Sequence, residues 1–316
     1  MKSKPKIKSK PGNKSSEQIV FISFLTNISD ILLNLVVGLI TGSVSVLAQS
    51  LQGAADLATS GTLMFGVRRA KQHANEDYPF GYGREVFFWV LISAMFMLIV
   101  TGGASIYLGV DRILNPKPLS DNWLAVAALT VAIFTNGYAF SLSYKGLKKS
   151  ERRASILDGI KNSSLLELKA AFLIDGAGVL AAVLGLIAVI ASELTGSGAF
   201  DALGSILVGL IMVVFAVLLI KDVKNFLVGK SASKRIKGQI VKAATSVKGV
   251  QDVLDLRTMF LGSDRLLVVI ELHIDERLKT KSIELLSDEV KAVIKKRVPR
   301  VEIVQVEVET PDHELK

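Results

Sequence analysis

Six long apolar runs dominate this chain of 316 residues, near positions 18 to 40, 44 to 67, 86 to 110, 123 to 144, 164 to 192 and 199 to 221. Each is of the order of the ~20 residues with which a helix crosses the ~30 Å hydrocarbon core of a bilayer. In lipid a segment must satisfy its own backbone hydrogen bonds, which a helix of that length does and an open strand does not. The runs therefore exclude an ordinary soluble fold and predict a membrane bundle of six helices.

The polar segments between the runs orient them. The opening MKSKPKIKSKPGNK carries lysines and no acid, the 67 to 84 link has Arg68, Arg69, Lys71 and Arg84, and the 145 to 161 link has Lys145, Lys148, Lys149, Arg152, Arg153 and Lys161. The links at 41 to 43 and 193 to 198 have no basic residue, and the one at 111 to 122 has only Arg112 and Lys117. Positive charge accumulates on the cytoplasmic side, so both termini and the two basic links are expected there. The net charge of +9 is broken up by spans instead of forming one patch, which argues against nucleic acid as a partner. The first run is long and is followed by five more, unlike a cleavable signal, and the arginine-free basic leader is unlike an organelle transit peptide. A prokaryotic plasma membrane is the expected location.

Three regions follow: a basic cytoplasmic leader (1–17), a six-helix transmembrane domain (18–222) and a soluble cytoplasmic domain (223–316). The last contains helical patterns near 232 to 246 and 281 to 297, and extended stretches VQDVLDLRTMFLG, RLLVVIELHID and VEIVQVEVET. The third stretch alternates apolar and acidic residues with the period of a half-buried strand. Gly262, Ser263 and Asp264 between the first two stretches predict a hairpin turn. The order α-β-β-α-β describes a small α+β domain with its helices on one sheet face.

Polar residues inside the spans fall into stripes at helical spacing. One carries Ser23, Asn27, Asp30, Asn34 and Thr41; another carries Ser45, Gln49, Gln52, Asp56 and Thr59. Gln52 and Asp56 are one turn apart and share a face. Asp175 lies in LIDGAGVLAAVLG, beside Gly176 and Gly178, which permit close helix packing, with Glu193 five turns further along the same face. An acid deep in a span is costly and usually marks an ion or substrate path, so Asp56 and Asp175 are the leading candidates. Asn27 and Asn34 read first as interhelical hydrogen-bond partners, Asp201 as the N-cap of the sixth span, and Glu193 as either solvated or lining an entrance. Two carboxylates from different helices can hold a divalent cation, and a proton competes for the same oxygens. The chain has no cysteine and three histidines, so any metal site must rely on oxygen.

With SVSVLA leading into the i, i+4 polar pair, PFGYGRE before the third span, an aspartate in the fifth and the closing α-β-β-α-β pattern, the chain resembles the cation diffusion facilitator family over nearly its whole length. PFGYGREVFFW, FDALGSILVGLIMV and DLRTMFLGSDRLLVVIEL look closest to the branch containing the ninth mammalian zinc transporter. The resemblance implies export or compartment loading of a divalent cation by proton antiport, and a homodimer with a metallochaperone-like cytoplasmic domain. It also implies a central site pairing His or Asp with Asp on each of spans two and five. Asp56 and Asp175 match the second member of each pair, whereas Gln52 and Ala171 stand at the first; Ile174 stands where the closer branch often has a glutamate. The family's loop metal site corresponds to Asn75, Tyr78 and Tyr82, so no metal is expected there. Its cytoplasmic ligand positions correspond to Glu271, Glu307 and Glu309, with His273 beside them, which read either as a metal set or as a solvated acidic sheet face.

The expected function is thus divalent cation efflux through Asp56, Asp175 and Gln52, with Asn27 and Asp30 as accessory polar residues. The substrate is zinc or, given an all-oxygen donor set, a harder ion such as manganese. The expected partners are the lipid bilayer, a second copy of the chain and protons as counter-ion. The other reading is a non-transporting relative acting as a membrane-bound metal sensor or interaction protein. No organic cofactor and no enzymatic activity are expected, since the residues flanking Asp56 and Asp175 match no intramembrane hydrolase pattern.

Overall fold

The computed structural model describes residues 16–116, 122–150, 165–275 and 277–310, in backbone alone for 16–27, 122, 149 and 150. Residues 1–15 of the basic leader, most of the second basic link, and the Ser23 and Asn27 side chains lie outside the described residues. Six long helices come first: α1 Ser16–Thr41, α2 Val44–Ala70, α3 Glu85–Leu114, α4 Asn122–Ser150, α5 Leu166–Thr195 and α6 Ala199–Val228. Four of them, α3 to α6, are long and apolar enough to cross a membrane. In α1 the described apolar part is the shorter Ile28–Thr41. Helix α2 is diluted by its polar stripe, of which Ser45, Gln49, Gln52 and Thr59 are buried against other helices instead of facing outward.

Three helix ends have a local cause. Ser43 starts α2 with extended backbone, its hydroxyl accepting from Val46 N. Gly196 and Gly229 close α5 and α6 in the left-handed conformation that glycine adopts without strain. Helix α6 runs past residue 222, where the composition changes, as far as Val228. Helix α3 contains one wider π segment, Met97–Gly103. There the buried Thr101 hydroxyl faces the Leu51 carbonyl of α2 at 3.5 Å, one residue before Gln52.

The C-terminal domain follows as α7 Lys234–Ala244, β1 Val250–Gly262, β2 Arg265–Ile274, α8 Thr280–Arg297 and β3 Val301–Val308. The expected α-β-β-α-β order is present. The sheet order is β1-β2-β3, with β1 and β2 antiparallel and β2 and β3 parallel. A parallel pair needs a crossover, and α8 supplies it. Alternation in β2 buries Leu266, Val268, Ile270, Leu272 and Ile274 on one face. That face packs with Ile236 and Ile240 of α7 and Leu286, Val290 and Ile294 of α8 in one core. Each such side chain removed from water contributes about 1.5–3 kcal/mol.

The two domains share that core across their joint. Phe226, near the end of α6, stacks on Phe87 of α3 at 5.1 Å and on Phe260 of β1 at 5.4 Å between ring centres. The β1–β2 turn, with Asp264 at φ 55°, is wedged against the start of α3. A Cβ on Gly262 would lie 2.8 Å from the Gly83 carbonyl oxygen, so only glycine allows this backbone approach. Ser263 in the same turn donates to Glu167 of α5 at 2.6 Å. Lys169, also on α5 and buried, pairs with Asp222 of α6. Beside them, burial lowers the pKa of Lys230, which Asp222 opposes and Lys169 reinforces.

Candidate functional site

Four helices enclose a polar cavity of about 40 Å³ in the membrane domain. Its lining is Asp30 from α1; Gly53, Asp56 and Ser60 from α2; Thr135, Asn136 and Ala139 from α4; and Asp175 from α5. The two acids singled out in the sequence therefore meet in one space, although they belong to distant segments. The stripes explain the meeting: a polar face that lipid rejects is buried where it finds another polar face.

Gln52 is not among the lining residues; it is fully buried behind Asp56, and its Nε2 donates to Asp56 Oδ1 at 2.7 Å. Ser143 of α4 donates to Asp175 Oδ2. A Cβ on Gly178 of α5 would lie 2.6 Å from Asn136 Oδ1 and 3.4 Å from Gln52 Nε2, so both amides pack on that glycine. Asn136 Nδ2 is committed to the Ala132 carbonyl at 2.8 Å. Three buried acceptor oxygens in this region, Asp30 Oδ1, Asn34 Oδ1 and Gln52 Oε1, have no hydrogen-bond partner. No Lys or Arg is among the lining residues. Carboxylates and unmatched acceptors without a protein cation make a space suited to a positive guest.

The donor set is oxygen throughout. Ile174 is buried in the apolar core and Ala171 has no donor atom to offer, so neither position replaces the nitrogen or carboxylate ligands that the family resemblance implies there. Among the described residues, no three His, Cys, Asp or Glu side chains close into one metal cluster. Asp30, Asp56 and Asp175 share the cavity at wider spacing.

Other polar positions resolve differently from their sequence reading. Asn34 is fully buried, but its amide bonds the Asp30 carbonyl of its own helix at 2.8 Å instead of a neighbouring helix. Back-bonding to the residue one turn earlier is the nearest acceptor for a short side chain. Asp201 does not cap α6, whose first residue follows Gly198. It caps α2: Ser43 Oγ and Ser45 N donate to its Oδ1 at 2.7 and 3.2 Å, and Val44 N to its Oδ2 at 2.7 Å. Three residues into its helix, the carboxylate is better placed for the unsatisfied N–H groups of the adjacent helix start. Glu193 is exposed at the end of α5. In the 71–84 loop Asn75 Oδ1 accepts from Tyr78 N at 2.8 Å, its Nδ2 donates to Tyr82 Oη at 3.0 Å, and the two tyrosine rings stack at 4.4 Å. These three positions hold the loop by bonding one another.

On the C-terminal sheet, Glu271 and Glu307 are paired in register and Glu271 faces Asp255 on its other side. Desolvation raises the pKa of Glu271; the Arg257 charge opposes this, and the Asp255, Glu309 and Glu307 charges add to it. Arg257 lies 3.3 Å from Glu271, and Gln305 donates to Glu307 at 2.9 Å. His273 stands opposite Asp252. The four positions make an acidic face with an arginine set into it.

Four polar site residues escape the sequence reading: Ser60 on α2, and Thr135, Asn136 and Ser143 on α4. Each is neutral and small enough to pass as a helix-packing residue. The spacing of Asn136 and Ser143, seven residues apart, puts them on one face and is the signal that points to them.

Two family models match the chain: the cation efflux transmembrane domain over residues 20–228 and the cytoplasmic domain of cation efflux proteins over residues 232–310. The chain is similar to metal tolerance protein C4 of Arabidopsis thaliana, 24% identical over 219 residues, covering 69% of this chain and 48% of that protein. It is similar to the mitochondrial proton-coupled zinc antiporter SLC30A9 of Homo sapiens, 22% identical over 271 residues, covering 85% and 48%. It is also similar to the cation-efflux pump FieF of Yersinia enterocolitica, 26% identical over 267 residues, covering 84% and 83%. The chain spans about half the length of the plant and human relatives. Among solved structures, a MamM CTD variant in its nickel form is 23% identical, covering 25% of this chain and 99% of that one, with a TM-score of 0.24.

Proposed function

The chain belongs to the cation efflux family, and from that membership we propose that it exports a divalent metal cation in exchange for protons through the cavity between α1, α2, α4 and α5. In this reading Asp56 and Asp175 ligate the cation directly, and Gln52 orients Asp56 while offering its own free carbonyl oxygen. All six long helices cross the membrane, the termini lie in the cytoplasm, and the C-terminal domain joins two copies into a homodimer in a prokaryotic plasma membrane. No organic cofactor and no bond-making step belong to the reaction.

One observation carries the reading: Asp56 and Asp175, on different helices, line a single space that contains no Lys or Arg. Carboxylates bind metal only when deprotonated, so a proton arriving at the same oxygens releases the ion, and exchange follows from competition. Zinc prefers nitrogen and sulfur in a tetrahedron, while oxygen-rich sites suit manganese or magnesium. The donor set therefore supports a harder cation than the zinc in the human relative's name. The test is a panel of Zn²⁺, Mn²⁺, Co²⁺, Fe²⁺, Cd²⁺ and Mg²⁺ in proteoliposomes carrying an internal pH dye. Cation-dependent proton flux that favours Mn²⁺ is the expected result, and zinc flux alone would sink the harder-ion assignment.

A second reading is a membrane-bound sensor without transport. It is favoured by the lack of a three-ligand His, Cys, Asp or Glu cluster among the described residues. Cation binding to the full chain without flux in the same vesicles would decide for it.

A further inference from the structure

Transport by Asp56 and Asp175 leaves one carboxylate of the cavity without a task. Asp30 of α1 lines the same space. Thr135 lines the wall with it but gives its hydroxyl to the Ala132 carbonyl, Asn34 gives its amide to the Asp30 backbone carbonyl, and Asp30 Oδ1 is buried with no partner. Beside Asp56, the fully buried Gln52 likewise has an unpartnered Oε1. The cavity's 40 Å³ exceeds what a bare ion fills. At roughly 10–15 Å³ per water centre it admits an ion with a small part of its hydration shell. The absence of a three-ligand cluster among the described residues points the same way: two direct protein carboxylates leave most coordination positions to water. Magnesium-like ions are held in this manner, through one or two carboxylates and several retained waters.

We propose that Asp30 is an outer carboxylate of the cation site, accepting hydrogen bonds from waters carried by the ion that Asp56 and Asp175 ligate, and thereby selecting a partly hydrated cation over a dehydrated one. Thr135 and Asn136 complete that outer wall from α4. Asp30 is a positioning residue: it acts on the ion through water and sets selectivity between Mn²⁺, which keeps an octahedral oxygen shell, and Zn²⁺, which favours four close ligands. The inference rests on the transport-site reading, whether the bound ion is then moved or only sensed.

The experiment is Mn²⁺ titration of the full-length protein in lipid nanodiscs by electron paramagnetic resonance, with Zn²⁺ as competitor, for wild type, Asp30→Asn, Asp30→Glu and Asp56→Asn. Loss of an outer-shell partner typically weakens metal affinity about 10–100-fold. Asp30→Asn is expected to lose Mn²⁺ affinity in that range and Zn²⁺ affinity less, so the Mn/Zn preference falls. Asp30→Glu restores most of the preference, and Asp56→Asn loses both metals. An unchanged Mn/Zn preference in Asp30→Asn, with both metals lost in Asp56→Asn, overturns the role of Asp30 and leaves the transport site standing. Full binding by Asp56→Asn overturns both. If Asp30→Asn does not fold, Thr135→Val puts the same demand on the outer wall, and an unchanged preference there overturns the proposal.

Discussion

Asp201 and Asp56 are both acids within helices of the membrane domain, and the fold treats them in opposite ways. Asp201 is wholly buried and both of its carboxylate oxygens receive donors, two N–H groups and a hydroxyl from the start of α2. Its backbone carbonyl is used as well, accepting from Ser45 Oγ at 2.8 Å. Asp56 has one donor, Gln52, and opens onto a cavity shared with two further carboxylates. Asp201 sits in the first turn of α6 and Asp56 in the middle of α2, and the two differ also in unmet bonding capacity. A carboxylate whose valences are filled by protein holds two helices together, whereas one whose neighbours remain short of donors is available to a cation and to protons.

The largest effect should come from removing the open acids. Asp56→Ala and Asp175→Ala are each expected to abolish cation-dependent proton flux while the protein still assembles with an unchanged elution profile. Normal transport by both would break the comparison from the functional side. Asp201→Ala should do the reverse: it strips hydrogen bonds to a charged group from the start of α2, worth about 1.5–3 kcal/mol each in the buried case. A large fall in thermal midpoint with the cation preference of the surviving protein unchanged is expected. If Asp201→Ala alters the cation preference at constant stability, the division between filled and open acids is wrong.

Much of this contrast was readable before the fold. Four of the long helices, α3 to α6, follow from apolar length, and the Ser45, Gln49, Gln52, Thr59 stripe predicts its own burial by helical spacing. The cap made by Asp201 was not legible, because GSGAFD looks like a local helix start and the accepting partner, Ser43, is far away in sequence. The contribution of α4 was hidden for a related reason: Thr135, Asn136 and Ser143 carry no charge, and neutral polar residues are common in helix contacts. Seating of the hairpin turn against Gly83 depends on how two domains approach, which no local pattern encodes.

A gain-of-nitrogen variant probes the open site more gently. Gln52→His with Ala171→His supplies the two ligands that the family resemblance implies, and should raise zinc affinity relative to manganese, since imidazole suits zinc better than an amide oxygen does. Competition titration of the double variant checks this. An unchanged ratio would mean that Gln52 and Ala171 do not face the bound ion.

Glu167 supplies the mildest test, because its donor belongs to the joint between the domains and not to the cavity. Its carboxylate accepts from Ser263 at 2.6 Å, and that turn is held against α3 by the Gly83 and Gly262 contact. Ser263→Ala removes the donor but keeps the backbone seat, leaving Glu167 short of a partner at a cost of about 1–3 kcal/mol. Because Phe226, Phe87 and Phe260 still bridge the domains, the C-terminal domain should remain docked but open more often. Limited proteolysis should then cut faster near Lys230, with the Mn/Zn preference unaffected. A changed preference would instead make Glu167 part of the cation path, alongside Asp56 and Asp175.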